Sequence, residues 1–100
     1  MSSIQATTAW RVPAGGTLPL RYWNGDYVVY NPLTGNTHVL DIVAGEVLKV
    51  IMAAPATSHD LYQHVADFLE IPNDFRAADN VDAVLAALDE LGLIEPVEAC

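Results

Sequence analysis

Cysteine is almost missing from this chain: the one present is Cys100, the last residue, so no internal disulfide is possible and secretion gains no support. A thiol in that place is expected to be frayed. Positive charge is scarce too, with Arg11, Arg21, Lys49 and Arg76 facing thirteen acids for a net charge of −9. That balance repels phosphate backbones and acidic membrane surfaces, so nucleic acid and membrane are disfavoured partners. No apolar run approaches the ~20 residues needed to span a bilayer. The stretch Met1 to Ala9 lacks the basic start and continuous apolar segment of a signal peptide, so a cytoplasmic protein is expected.

What is present is apolar: 52% of the 100 residues are hydrophobic and only 17% charged, enough to offset chain entropy by burial around one core and too little for two. The expected organisation is a flexible tail over 1–9, a single domain over 10–97 and a short tail over 98–100. Trp10 to Pro13 reads as a short extended segment before the Ala14-Gly15-Gly16 loop.

Between Leu18 and Leu40 three runs rich in aromatic and β-branched residues are separated by two turn signals, which predicts an antiparallel β-meander. Asn24-Gly25 supplies the two positive φ angles of a type I′ hairpin and would pair Trp23 with Asp26 and Tyr22 with Tyr27. Pro32 and Gly35 suit a four-residue loop that would pair Asn31 with Asn36 and Val29 with His38. In that register Leu18, Leu20, Tyr22, Tyr27, Val29, His38 and Leu40 share one face, and Pro19, Arg21, Trp23, Val28, Tyr30 and Val39 share the other. The second face is too apolar for open solvent. The Trp10–Val12 segment is the cover at hand, and otherwise Trp23, Val28 and Tyr30 await a partner.

Three helices are expected to follow. Asp41 caps the first, which runs to about Ala54 before Pro55; Ile42, Val43, Val47, Leu48, Val50, Ile51 and Met52 surround most of its axis, marking a central, buried element. Thr57 or Ser58 caps the second, with Leu61, Val65, Phe68 and Leu69 on one stripe. After a break at Ile71 to Phe75, Asp79 or Asn80 caps the third, with Val81, Val84, Leu85, Leu88 and Leu91 as its stripe and Gly92 as its close. The tail from Leu93 to Val97 suits a last extended segment.

Catalytic chemistry is hard to find. His59 and His64 stand roughly 140° apart around their helix and cannot share a metal on one face, and no cysteine pair completes a zinc site, so neither metal nor cofactor is expected. There is no nucleophile elbow and no phosphate-binding glycine loop ahead of a helix. Asp79, Asp82, Asp89 and Glu90 read as a solvated helix face. Three helices with a small sheet are also the outline of winged-helix DNA readers. Here the candidate recognition helix carries Asp82, Asp89 and Glu90 and no Lys or Arg, which argues against a DNA-binding regulator.

The motifs Trp10-Arg11-Val12-Pro13, Leu20-Arg21-Tyr22-Trp23, Val28-Val29-Tyr30-Asn31, Thr34 through Asp41 and Leu91-Gly92-Leu93-Ile94, in that order, resemble the PqqD-like peptide chaperones, or RiPP recognition elements. The likeness is greatest to the branch accompanying kinases related to HPr kinase. It spans roughly Trp10 to Val97. The resemblance implies an α+β, winged-helix-like domain, a three-stranded meander followed by a three-helix bundle, that is not an enzyme. It implies capture of the leader segment of a precursor peptide as an added strand, and its presentation to a separate modifying enzyme, here an HPr-kinase-related one. Carried onto this chain, the peptide would lie along Thr37, His38, Val39 and Leu40 and against Ala83, Ala86, Ala87 and Glu90 of the third helix. The acids of that helix would favour a neutral or basic peptide. A competing expectation is an accessory subunit docked permanently on a kinase-like or transferase enzyme through Trp23, Val28 and Tyr30.

Overall fold

The computed structural model describes residues 9–13 and 18–97; the expected N-terminal tail up to residue 8, the Ala14-Gly15-Gly16 loop and the C-terminal tail with Cys100 lie outside the described residues. The architecture is α+β, a three-stranded antiparallel sheet followed by helices. Strands β2 (Leu20–Trp23), β3 (Asp26–Asn31) and β4 (Asn36–Leu40) form the meander. Its register is the one the turn residues predict, with Trp23 opposite Asp26, Val29 opposite His38 and Asn31 opposite Asn36. Asn24 at φ 57° and Gly25 at φ 91° make the hairpin turn, and the Asn31 carbonyl closes the second loop by accepting from the Gly35 N–H at 2.8 Å. Asn31 itself is buried and accepts from the Leu33 N–H through its side chain.

Helix α1 (Ile42–Ala53) starts where Asp41 accepts from the Ala44 N–H at 2.8 Å and stops at Ala54, one residue before Pro55. It is the central element, packed against the meander and two further helices. Helix α2 (Ser58–Leu69) is capped by the Thr57 hydroxyl, which accepts from the Asp60 N–H.

Helix α3 (Phe75–Glu90) departs from expectation at its start. Asp74, not Asp79 or Asn80, is the cap, accepting from the Arg76 N–H at 2.9 Å. The extra turn exists because Ala77 is fully buried and extends the stripe of Val81, Leu85 and Leu88. A small residue carries little periodic signal, so the stripe looked shorter than it is. One consequence is that this helix does hold a cation, Arg76, which lies 3.9 Å from Asp74 and over the Phe75 ring. The end is as expected: with Gly92 at φ 76°, the Leu93 N–H donates to the Leu88 carbonyl and the Gly92 N–H to Asp89, a Schellman close.

Trp10 overturns an expectation more consequentially. It sits in β1 (Ala9–Arg11), which begins inside the segment read as tail and pairs on one side with β5 (Ala56–Thr57) and on the other with β6 (Glu95–Val97). This second three-stranded sheet, in the order β5-β1-β6, was not expected as such. The indole is 4% exposed and its N–H donates to the Ser58 hydroxyl at 3.0 Å, so Trp10 belongs to the core and does not cover the meander's second face. The physical reason is satisfaction: strand β1 is paired with a neighbour on each side, and Ser58 gives the indole's only donor a partner.

The meander docks on α1 through Tyr27, whose ring lies on the backbone at Gly45; a methyl group at Gly45 would fall inside that ring. Alanine ordinarily stabilises a helix interior by ~1 kcal/mol over glycine, whereas overpacking costs ~1–3 kcal/mol and displaces a buried aromatic. Gly45→Ala is therefore expected to destabilise by about 1–3 kcal/mol. A fall in the urea midpoint at unchanged slope is the expected reading; a rise would mean the ring can move aside at no cost.

Candidate functional site

The candidate site is built around β4. Among the described residues it pairs with β3 alone, which leaves its other edge open. Which backbone groups face that edge follows from the ladder. The Tyr30 N–H donates to Pro19 at 3.0 Å, so alternate β3 residues from Tyr30 point to β2, and Tyr27, Val29 and Asn31 point to β4. Their partners Leu40, His38 and Asn36 are thus committed to β3. The N–H and C=O groups of Thr37 and Val39 face outward, without a partner among the described residues.

Side chains divide by the same parity. Thr37 and Val39 lie on the outer face, with Val39 69% exposed. His38 is half-buried on the inner face and its Nε2 is enclosed without a hydrogen-bond partner. Leu40 is buried in the core, so of the four β4 residues named from the resemblance it offers neither side chain nor backbone to a newcomer. The edge carries no charge and no proline, the usual guards against further strand pairing.

On α3 the residues Ala83, Ala86, Ala87 and Glu90 are all exposed on one stripe, opposite the buried Ala77, Val81 and Leu85. The helix packs chiefly on α2 and α1, while β4 leans on β3 and α1, so the alanine stripe and the strand edge are not packed together. Beyond the end of α3, a side chain at Gly92 would come within 3.9 Å of the Asn31 amide of β3. Asp82, expected on a solvated face, instead accepts from the Tyr62 hydroxyl at 2.9 Å; burial and then this carboxylate push the Tyr62 phenol up to about 12.

The outer sheet face is bare. Trp23 is 67% exposed and Tyr30 42%, with Val28 half-buried between them. Pro19, Leu20, Arg21, Val28, Tyr30 and Thr37 line an open cavity of ≈ 350 Å³ on this face. Thr37 therefore joins the two regions, one side of it turned to the free edge and the other to the cavity.

Behind the sheet lies a polar cluster that reading the sequence missed. The Tyr27 hydroxyl donates to Glu46 at 2.9 Å, Lys49 donates to both, and His64 Nε2 stands 3.6 Å from the other Glu46 oxygen, too long for a hydrogen bond. Glu46 and Lys49 are the only charged residues of the apolar helix α1, and no sequence signal ties them to Tyr27. Among the described residues no group of three or more potential ligands could hold a metal ion, and no helix is long and apolar enough to cross a membrane. Comparison with protein-family models, curated proteins and solved structures finds no match to this chain.

Burial works to raise the Glu46 pKa, but hydrogen bonds from Lys49 and Tyr27 and the Lys49 charge outweigh it, so the carboxyl lies below its ordinary 4.5. A carboxyl depressed in the folded state stabilises above its unfolded pKa, and that contribution disappears as pH falls through the folded value. The stability gap between the native chain and Glu46→Gln is thus expected to be full at neutral pH and to close below about pH 4.5. A gap unchanged from neutral pH into acid, measured by urea unfolding, would contradict this.

Proposed function

We propose that this protein is a non-catalytic adaptor that captures an extended peptide as an added strand on β4 and presents it to a separate modifying enzyme. The observation that carries the reading is the unguarded edge, where Thr37 and Val39 turn N–H and C=O groups outward on a strand without charge or proline and, among the described residues, without cover. The resemblance to PqqD-like peptide chaperones supports the same use of the same strand.

Magnitudes decide where selectivity must come from. Thr37 and Val39 offer two donors and two acceptors, and at ~0.5–1.5 kcal/mol net for each bond the backbone supplies about 2–6 kcal/mol. That alone corresponds to roughly millimolar binding. Covering Val39 adds about 1.5–3 kcal/mol, which brings the complex toward the micromolar range. Side-chain contacts with Thr37, Val39 and the inner-face His38 therefore have to choose among peptides, and the Ala83, Ala86, Ala87 and Glu90 stripe joins them only as the resemblance implies. The chain's charge of −9 favours neutral or basic ones.

Titration with the short peptides encoded beside its gene tests the proposal. Amide signals of Thr37 and Val39 are expected to shift saturably, those of His38 and Leu40 much less, and Val39→Lys to weaken binding about ten-fold by guarding the edge. No saturable shift, or shifts confined to α2, would sink it.

A second reading is favoured by the bare outer face: a permanent accessory subunit docked on an enzyme through Trp23, Val28 and Tyr30. Co-purification separates the two. A complex that forms without peptide, is lost in Trp23→Ala and survives Val39→Lys supports docking; one that needs peptide and survives Trp23→Ala supports capture alone.

A further inference from the structure

The meander is apolar on both faces, yet the described chain supplies a helix to one of them only. The inner face receives α1, and the outer face, with Trp23, Tyr30 and Val39 exposed, receives nothing. Cross-strand pairing arranges that face in rows: Pro19, Tyr30 and Thr37; then Arg21, Val28 and Val39; then Trp23 and Asp26. Its size is informative. With strands ~4.8 Å apart and residues ~3.3 Å apart, the three strands present a strip about 10 Å wide and 17 Å long. That is well below the ~800 Å² per partner of an ordinary stable interface, but it matches the ~10–12 Å width of one α-helix.

Arg21 supplies polarity. Of the four Lys and Arg residues, Arg11 pairs with Glu95 at 2.7 Å, Lys49 with Glu46 at 3.1 Å and Arg76 with Asp74 at 3.9 Å. Among the described residues Arg21 has no ion pair and stacks on no ring, although acids outnumber bases more than three to one. It lines the ≈ 350 Å³ cavity beside Val28 and Tyr30. Tryptophan, tyrosine and arginine gathered on one solvent-facing surface are the residue types that carry most binding energy in interfaces.

We propose that the outer face docks a single amphipathic helix of a partner protein, its apolar stripe laid across Trp23, Val28 and Tyr30, with one acidic side chain set against Arg21. The inference rests on the docking reading and adds the partner's chemistry to it. About eleven residues of helix, at 1.5 Å each, cover the strip. The carboxylate belongs at the Arg21 side, and neutral or basic groups belong over Asp26. A second copy of this chain fits poorly, since it brings another −9 of charge to a small contact.

Two synthetic stapled twelve-residue helices with the same leucine stripe, one flanked by Glu and the other by Lys, provide the test. Titrated into the full chain, the Glu-flanked helix is expected to shift the amides of Arg21, Trp23, Val28 and Tyr30. It should bind about three- to ten-fold more tightly than the Lys-flanked one. Arg21→Glu, an exposed change that should not disturb folding, is expected to invert that order. Equal affinities in the native chain, an order unaffected by Arg21→Glu, shifts away from the outer face, no shift with either helix, or self-association through this face on concentration would each overturn the proposal. The docking reading fails separately, when no enzyme co-purifies through Trp23 whatever the two helices do.

Discussion

The contact on which the other features depend is the Tyr27 ring lying on the backbone of α1 at Gly45. It brings the meander closer to the central helix than any Cβ would permit. Once the ring is seated, its hydroxyl reaches Glu46 and comes under the Lys49 ammonium, while Tyr22 packs edge-on against it with ring centroids 5.3 Å apart. Strand parity then leaves no choice elsewhere. If Tyr27 points inward, so do Val29, His38 and Leu40, and Val28, Tyr30, Thr37 and Val39 must point out.

This constraint creates the surface that a partner would use. A sheet fixed on one helix layer has two uncovered features, an outer face and the edges of its outermost strands. In many domains an N-terminal segment would cover one of them. Here β1 is held between β5 and β6, and Trp10 is locked in the core by Ser58, so Ala9–Arg11 is engaged elsewhere. The energetic preference is clear: the indole is almost fully removed from water with its donor satisfied, whereas on the outer face it would lie on one side only.

Edge and face also differ in what they recognise. An edge reads backbone, which every peptide has, so it contributes affinity with little discrimination. A face bearing Arg21 between apolar rows reads side chains and charge. Thr37 belongs to both, so a strand added to β4 would widen the strip on which a docked helix rests.

Much of this protein was determined by the sequence alone, wherever the signal was local. Asn24-Gly25 and Pro32 to Gly35 set the hairpin registers, Asp41 and Thr57 set the helix starts, and Gly92 set the last stop, because a turn or a cap is decided by a few adjacent residues. Parity then made both the inward face and the apolar outer one legible. Tertiary structure alone decided the extra turn of α3, which needs a pocket for Ala77; the sheet that holds Trp10, built from strands far apart in the chain; and the Tyr27–Gly45–Glu46 junction, in which a helix glycine and the carboxylate beside it serve a single ring. The physical reason is range: propensity and periodicity act over a few residues, whereas burial and hydrogen-bond satisfaction are settled by groups that meet only after the chain has closed.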